Sequence, residues 1–276
     1  MSKKGIVLPL LVVYAALMAV LTYYDLPIAK AIYMPGNLFG KIFEVVGIIP
    51  AMLAGIFGGI AVFLTRPSGK RGIGSWVLAA LGTIGFPAFS IIAIVNLNRP
   101  FVWLFVVLIV GWEVGAFFLA RWLVKKGRGL PLRRFAIMLI VAASAGIFGQ
   151  TAAKYVFNRP RFITLTDESQ YTPWYVVHNF AHDSSFPSGH TSQSAVVLTL
   201  AYMPVLLGGK RPKWLVPIVL LAGLAFVGSV GVSRMTLGVH YATDVVTGFM
   251  LSAVGILICD HAIHRKGGFG GLEPLD

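Results

Sequence analysis

The stretch LVPIVLLAGLAFVGSVGVS, residues 215–233, runs from end to end without a charged side chain. A helix needs about 20 mostly apolar residues to cross the hydrocarbon core of a bilayer, and this one is long enough. In lipid every backbone N–H and C=O must be bonded within the segment, which dictates a helix or a closed barrel. No alternation of apolar and polar residues speaks for a barrel. Working outward, seven more stretches qualify: Gly5–Tyr24, Ile42–Thr65, Ser75–Asn96, Phe101–Val124, Phe135–Val156, His190–Leu207 and Tyr241–Cys259. The reading is an all-α integral membrane protein, a bundle of about eight spans. Pro50, Pro87, Pro204 and Pro217 are expected as tolerated kinks.

Composition agrees. Of 276 residues 57% are hydrophobic and 12% charged, with mean hydropathy +0.81, whereas a soluble domain carries about 25% charged residues. No room is left for a separate soluble domain, so residues 1–276 read as one membrane domain. The net charge of +13 is scattered through loops rather than gathered on one aromatic-studded face, which excludes nucleic acid as a partner. It follows topology instead. Of the 23 lysines and arginines, sixteen fall on one side of the spans and seven on the other. The positive-inside rule then makes both termini cytoplasmic. The run from Gly5 to Tyr24 exceeds the ~7 to 15 apolar residues of a signal peptide and lacks a small-residue cleavage site, so it is expected as a first span. Cys259 has no second cysteine to pair with. Compact loops and short tails fit a bacterial plasma membrane.

The outward loop from Phe162 to Pro187 is the one long polar connection, and loops of that length are usually functional or disordered. Its aromatic residues Tyr171, Trp174, Tyr175 and Phe180 read as an interfacial belt ahead of a substrate lid. His178 and His182, beside Asp183, read as solvated loop residues rather than metal ligands. Glu44 is expected to hydrogen-bond a neighbouring helix, Glu113 to have a partner within the membrane, and His261 and His264 to lie in a cytoplasmic tail. Asn98-Arg99-Pro100 recurs as Asn158-Arg159-Pro160, the first copy reading as a coincidental turn.

Three clusters of polar residues break into the apolar pattern, and the parity of the spans puts all of them on one face. The first is Lys154 with Arg161, where Pro160 ends the helix between them; guanidinium grips phosphate in a bidentate fork and ammonium as a point charge. Taken alone, such a pair reads as snorkelling interfacial cations. The second is Ser188-Gly189-His190, where Ser188 suits an N-cap, Gly189 admits a close anion and the helix dipole adds positive charge. His190, with an ordinary pKa near 6.5, can deliver a proton near neutrality. In the third, Ser233-Arg234 precedes His240 and Asp244, which at a spacing of four are expected on one helix face. An aspartate that accepts the Nδ1 proton leaves Nε2 of the histidine as a nucleophile. Ionisable groups at membrane depth are costly, which favours function.

These residues resemble the type 2 phosphatidic acid phosphatase superfamily. Lys154, six residues and Arg161 resemble its first signature, Pro187-Ser188-Gly189-His190 its second, and Ser233-Arg234, five residues, His240, three residues and Asp244 its third. One departure stands out: Phe162 occupies the place of the usual proline, while Arg159-Pro160 lies two residues earlier. Arg159 is thus an alternative ligand, with Arg161 preferred because it keeps the six-residue gap. The resemblance spans about Lys154 to Cys259, so residues 131–262 form the expected core. The family's usual core has six spans, which leaves two extra spans among residues 1–130 without a role.

What the resemblance implies is metal-free, cofactor-free hydrolysis of a lipid phosphate in two steps. By carry-over His240 attacks phosphorus, Asp244 orients it and His190 protonates the leaving oxygen; Lys154, Arg161, Arg234 and the Ser188 and Gly189 amides hold the phosphoryl oxygens. The partners are then a lipid phosphate and the membrane, with the site extracytoplasmic. A phosphotransferase of the same family is the near alternative, and a non-enzymatic anion or lipid transporter the distant one. Transporters place charge near the midplane between paired half-repeats, whereas here charge gathers at one face. Which lipid, and which oligomeric state, no residue pattern specifies.

Overall fold

The apolar runs fold as helices, and polar caps and glycines set their ends. The computed structural model of the chain describes residues 4–67, 73–96, 102–177, 184–203 and 214–264. Among them, seven helical segments are long and apolar enough to cross a membrane. In chain order the helices are α1 (Lys4–Ile32), α2 (Leu38–Val46), α3 (Ile49–Leu64), α4 (Ile73–Ala80), α5 (Phe86–Asn96), α6 (Val102–Lys125), α7 (Gly129–Phe157), α8 (Gly189–Ala195), α9 (Leu215–Thr236) and α10 (Ala242–His264).

Several bounds differ from the sequence reading, each for a local reason. The first span does not stop at Tyr24: α1 continues through Asp25 and Pro27 to Ile32, because Asp25 is neutralised by protein partners rather than left to lipid. The second span is two helices broken at Gly47 and Ile48. Asn37 caps α2 through its side chain, and Pro50 sits in the first turn of α3, where a missing N–H costs nothing. The third span carries a π-helical bulge at Leu81–Gly85 just before Pro87. There Gly82 backs onto α3 so closely that a Cβ would lie 2.4 Å from Gly59 Cα. His261 and His264 belong to the end of α10 rather than to a tail.

The stretch expected as a sixth span, His190–Leu207, opens as α8 and tightens into 3-10 geometry over Val196–Tyr202. Its remaining residues, like His178, His182, Asp183, Phe180 and the Asn98-Arg99-Pro100 turn, fall outside the described set. Helix α7 is the hub, packing against α3, α8 and α10, while α4, α5 and α6 form a hairpin laid mainly against α3. The apolar core runs between α3, α6 and α7, through Ile56, Ala61, Ala120, Leu132 and Ile140. Because successive spans reverse direction, the C-terminal ends of α1, α7 and α9 meet the N-terminal ends of α2, α8 and α10 at one end of the bundle.

Candidate active site

Helix α7 delivers the first cluster. Lys154 occupies its last turn, and Asn158, with φ +46° in the left-handed region, closes the helix and swings the chain into Arg159-Pro160-Arg161. The two arginines then part company. Arg159 is fully buried and its donors are matched to protein acceptors: Nε to Thr172 O at 2.8 Å, Nη1 to Asp244 Oδ1 at 2.7 Å and Thr243 Oγ1 at 2.9 Å, Nη2 to Asp25 Oδ2 at 3.0 Å and the Tyr171 hydroxyl at 3.2 Å. Its guanidinium also lies 4.0 Å from the centroid of the Tyr241 ring. Arg161, half-buried, lies within electrostatic reach of His240, as does Lys154.

The second cluster begins after a cis Phe186–Pro187 bond. Ser188 caps α8 by accepting from the Thr191 amide at 3.4 Å and the Thr191 hydroxyl at 2.9 Å. Its own amide is not open to a phosphate, contrary to the sequence reading, because it donates to Asp244 O at 2.9 Å. That leaves the amides of Gly189 and His190 at the head of the helix. A Cβ on Gly189 would meet Gln150 Oε1 at 2.4 Å and push that side chain aside, and one on Gly248 of α10 would meet the backbone Ser188 O at 2.2 Å, so glycine is required by packing at Gly248. His190 Nε2 is buried with no hydrogen-bond partner among the described residues; burial, aided by the charges of Arg234, His240 and Lys154, pushes the ring well below the ordinary value near 6.5 that the sequence reading gave it.

The third cluster straddles the turn between α9 and α10. Arg234, in the last turn of α9, is buried and paired with Glu44 of α2 at 3.1 Å, and donates to Gly40 O at 3.2 Å. Glu44 therefore does bond a neighbouring helix, through a cation of the site itself. His240 and Asp244 do not share a helix face, since His240 precedes α10. Instead Tyr241 stands at the N-cap and Asp244 in the first turn accepts the Tyr241 amide at 2.8 Å, the reciprocal half of a capping box. Asp244 Oδ2 lies 3.6 Å from His240 Nδ1, beyond hydrogen-bond distance; such contacts tighten when a substrate is held. Burial pushes the His240 imidazole down to about 4, opposed by Asp244 and assisted by Lys154 and Arg161.

Two kinds of residue escaped the sequence reading. Asp25 of α1 is fully buried, and accepts from the Thr243 amide at 2.9 Å, from the Thr243 hydroxyl and from Arg159. A carboxylate interrupting an otherwise apolar first span was its one visible signal. The outer-loop aromatics are the other kind, and the belt reading fails for two of them. The Trp174 indole donates to Thr22 Oγ1 at 2.9 Å and stacks on Phe186; Tyr171 packs edge-on against Tyr241. Their polar atoms and rings find better partners on the site's own walls than at a lipid interface. Glu113 stands mid-span on α6, half-buried beside Trp112, with no hydrogen bond or ion pair among the described residues.

Residues 134–267 match the family model described as the PAP2 superfamily. The match takes in the motif-bearing part of the chain, just under half of its length. Phosphatidylglycerophosphatase B of Bacillus subtilis (strain 168) is 32% identical over 122 residues, covering 42% of this chain and 51% of that protein. The chain thus spans about half the length of the curated relative it matches. No solved structure matches it. All three clusters lie within the PAP2 match, whereas Asp25 and Glu44 reach the same site from outside it.

Proposed function

We propose that the chain is a membrane-embedded lipid phosphate phosphatase that works through a phosphohistidine at the extracytoplasmic face. The observation that carries this reading is the meeting of two histidines, an orienting carboxylate and three cations at one end of the bundle, within the PAP2 match. A relative named as a phosphatidylglycerophosphatase supports a lipid phosphate as the substrate class. The bias of lysine and arginine toward the opposite end supports an outward-facing site.

In the first step the Nε2 lone pair of His240 attacks phosphorus, the bond from phosphorus to the leaving oxygen breaks, and that oxygen takes a proton from His190, which the negative charge of the bound phosphate holds protonated in the complex. Asp244 holds the Nδ1 proton and balances the positive charge that the ring acquires. In the second step water attacks the phosphohistidine, the N–P bond breaks with its electron pair returning to Nε2, and the water proton passes to His190. The products are the dephosphorylated lipid and inorganic phosphate. Lys154, Arg161, Arg234 and the Gly189 amide stabilise the phosphoryl oxygens, where transition-state charge is spread. No step requires a metal.

The test is phosphate release by purified protein against a panel of lipid phosphates, with and without EDTA, for wild type and His240→Ala. Release that survives chelation and disappears in His240→Ala is expected. Full activity of His240→Ala would overturn the nucleophile, and complete loss on chelation would overturn the metal-free mechanism. Little release from donor alone, with phosphate transferred once an acceptor lipid is added, would mark a phosphotransferase.

A further inference from the structure

The orienting carboxylate of the proposed reaction has an unfavourable neighbour. Asp244 sits 2.7 Å from the guanidinium of Arg159, both side chains fully buried. In a low-dielectric setting a cation that close cancels most of the field the carboxylate could exert on His240. A histidine nucleophile needs that field, because its ring becomes cationic once Nε2 bonds to phosphorus while Nδ1 keeps its proton. A second buried carboxylate resolves the difficulty. Asp25 of α1 stands 3.0 Å from the other terminal nitrogen of Arg159, so one cation is shared between two carboxylates and the cluster retains one negative charge to face His240.

The same side chain fixes geometry. Asp25 Oδ1 accepts the Thr243 amide at 2.9 Å, and Oδ2 accepts the Thr243 hydroxyl, which itself accepts from Arg159 at 2.9 Å. Thr243 and Asp244 form the first turn of α10, so Asp25 holds the backbone that aims the Asp244 carboxylate. We propose that Asp25, supplied by the first span, is a positioning residue for the His240–Asp244 pair: it engages Arg159 and Thr243 so that Asp244 keeps its charge and orientation for the nucleophile. The inference rests on the phosphohistidine reading, and it gives α1 a part in the reaction.

The experiment compares wild type, Asp25→Asn and Thr243→Val, purified in detergent, for steady-state hydrolysis of a lipid phosphate and for the single-turnover rate of phosphohistidine formation per folded molecule. Thr243→Val removes the hydroxyl shared by Asp25 and Arg159 while keeping the shape, and decides the matter if Asp25→Asn does not fold. The expected result for Asp25→Asn is a fall in kcat of about tenfold or more, with KM within about twofold and phosphohistidine formation slowed in parallel. Thr243→Val should show the same split to a smaller degree. Wild-type rates per folded molecule in both variants would overturn the inference, as would a loss of activity that only tracks the loss of folded protein. A wild type that releases no phosphate would instead sink the phosphatase reading itself, which separates the two failures.

Discussion

Replacing Arg159 by lysine keeps the charge and removes the fork. The guanidinium serves five acceptors, namely Thr172 O, Thr243 Oγ1, Asp244 Oδ1, Asp25 Oδ2 and the Tyr171 hydroxyl. An ammonium offers three donors from a single atom, so at least two of these acceptors lose their partner. Hydrogen bonds involving a charged group contribute about 1.5–3 kcal/mol each, which puts the cost of the substitution at roughly 3–6 kcal/mol. Breaking a buried ion pair by removing one partner gives a similar figure, about 3–5 kcal/mol. Against a typical folding stability of about 5–15 kcal/mol the loss is large. Unfolding of the purified variant in detergent should therefore begin well before that of wild type. Arg161→Ala is the contrast: it should keep more of the wild-type stability than Arg159→Lys and yet lose phosphate release, because its proposed role is to hold the substrate. An Arg159→Lys protein as stable as wild type, with a raised KM, would refute the assignment and return Arg159 to the role of phosphate ligand.

If His190 protonates the leaving oxygen, His190→Gln should slow hydrolysis of a lipid alkyl phosphate far more than that of an aryl phosphate whose leaving group needs no proton; equal losses on both would argue against the assignment. His240, pushed down to about 4, stays neutral in the free protein between pH 7 and pH 5, so the acid limb of kcat/KM should not carry a nucleophile titrating near 6.5. The same shift affects stability. The unfolded chain takes up the proton near 6.5 and the folded one only near 4, so the contribution is complete above pH 6.5 and fades as pH falls through that window, by up to about 2 kcal/mol at pH 5. Denaturant melts at the two pH values check it, with and without His240→Gln.

Much of this site could be read from local pattern. Charge-free runs announce spans because lipid tolerates nothing else, and the three polar clusters stand out against them. Parity alone brings Lys154, His190, Arg234 and His240 to one end. What stayed hidden were relations at long range. Asp25 meets Thr243 across 218 positions, and no spacing rule links them. Arg159 and Arg161 differ by two residues and share a charge; only the left-handed turn at Asn158 decides which faces inward. The spacing of His240 and Asp244 pointed to a shared helix face, but capping competes with helix formation at that point, and the carboxylate folds back onto the Tyr241 amide instead. Tyr171 and Trp174 depart from the belt reading because a belt and a wall have the same composition.

The bond between Asp25 and Thr243 also bears on how the chain is made. Translation adds about 5–20 residues per second, so the 218 positions between the two amount to roughly 10–40 s of synthesis. Until Arg159 emerges, 134 positions after Asp25, the first helix carries an acid at membrane depth with neither partner yet made, and Thr243 follows later still. Helix α10 completes what α1 begins, and the proposed site assembles only once Thr243 and Asp244 have been made.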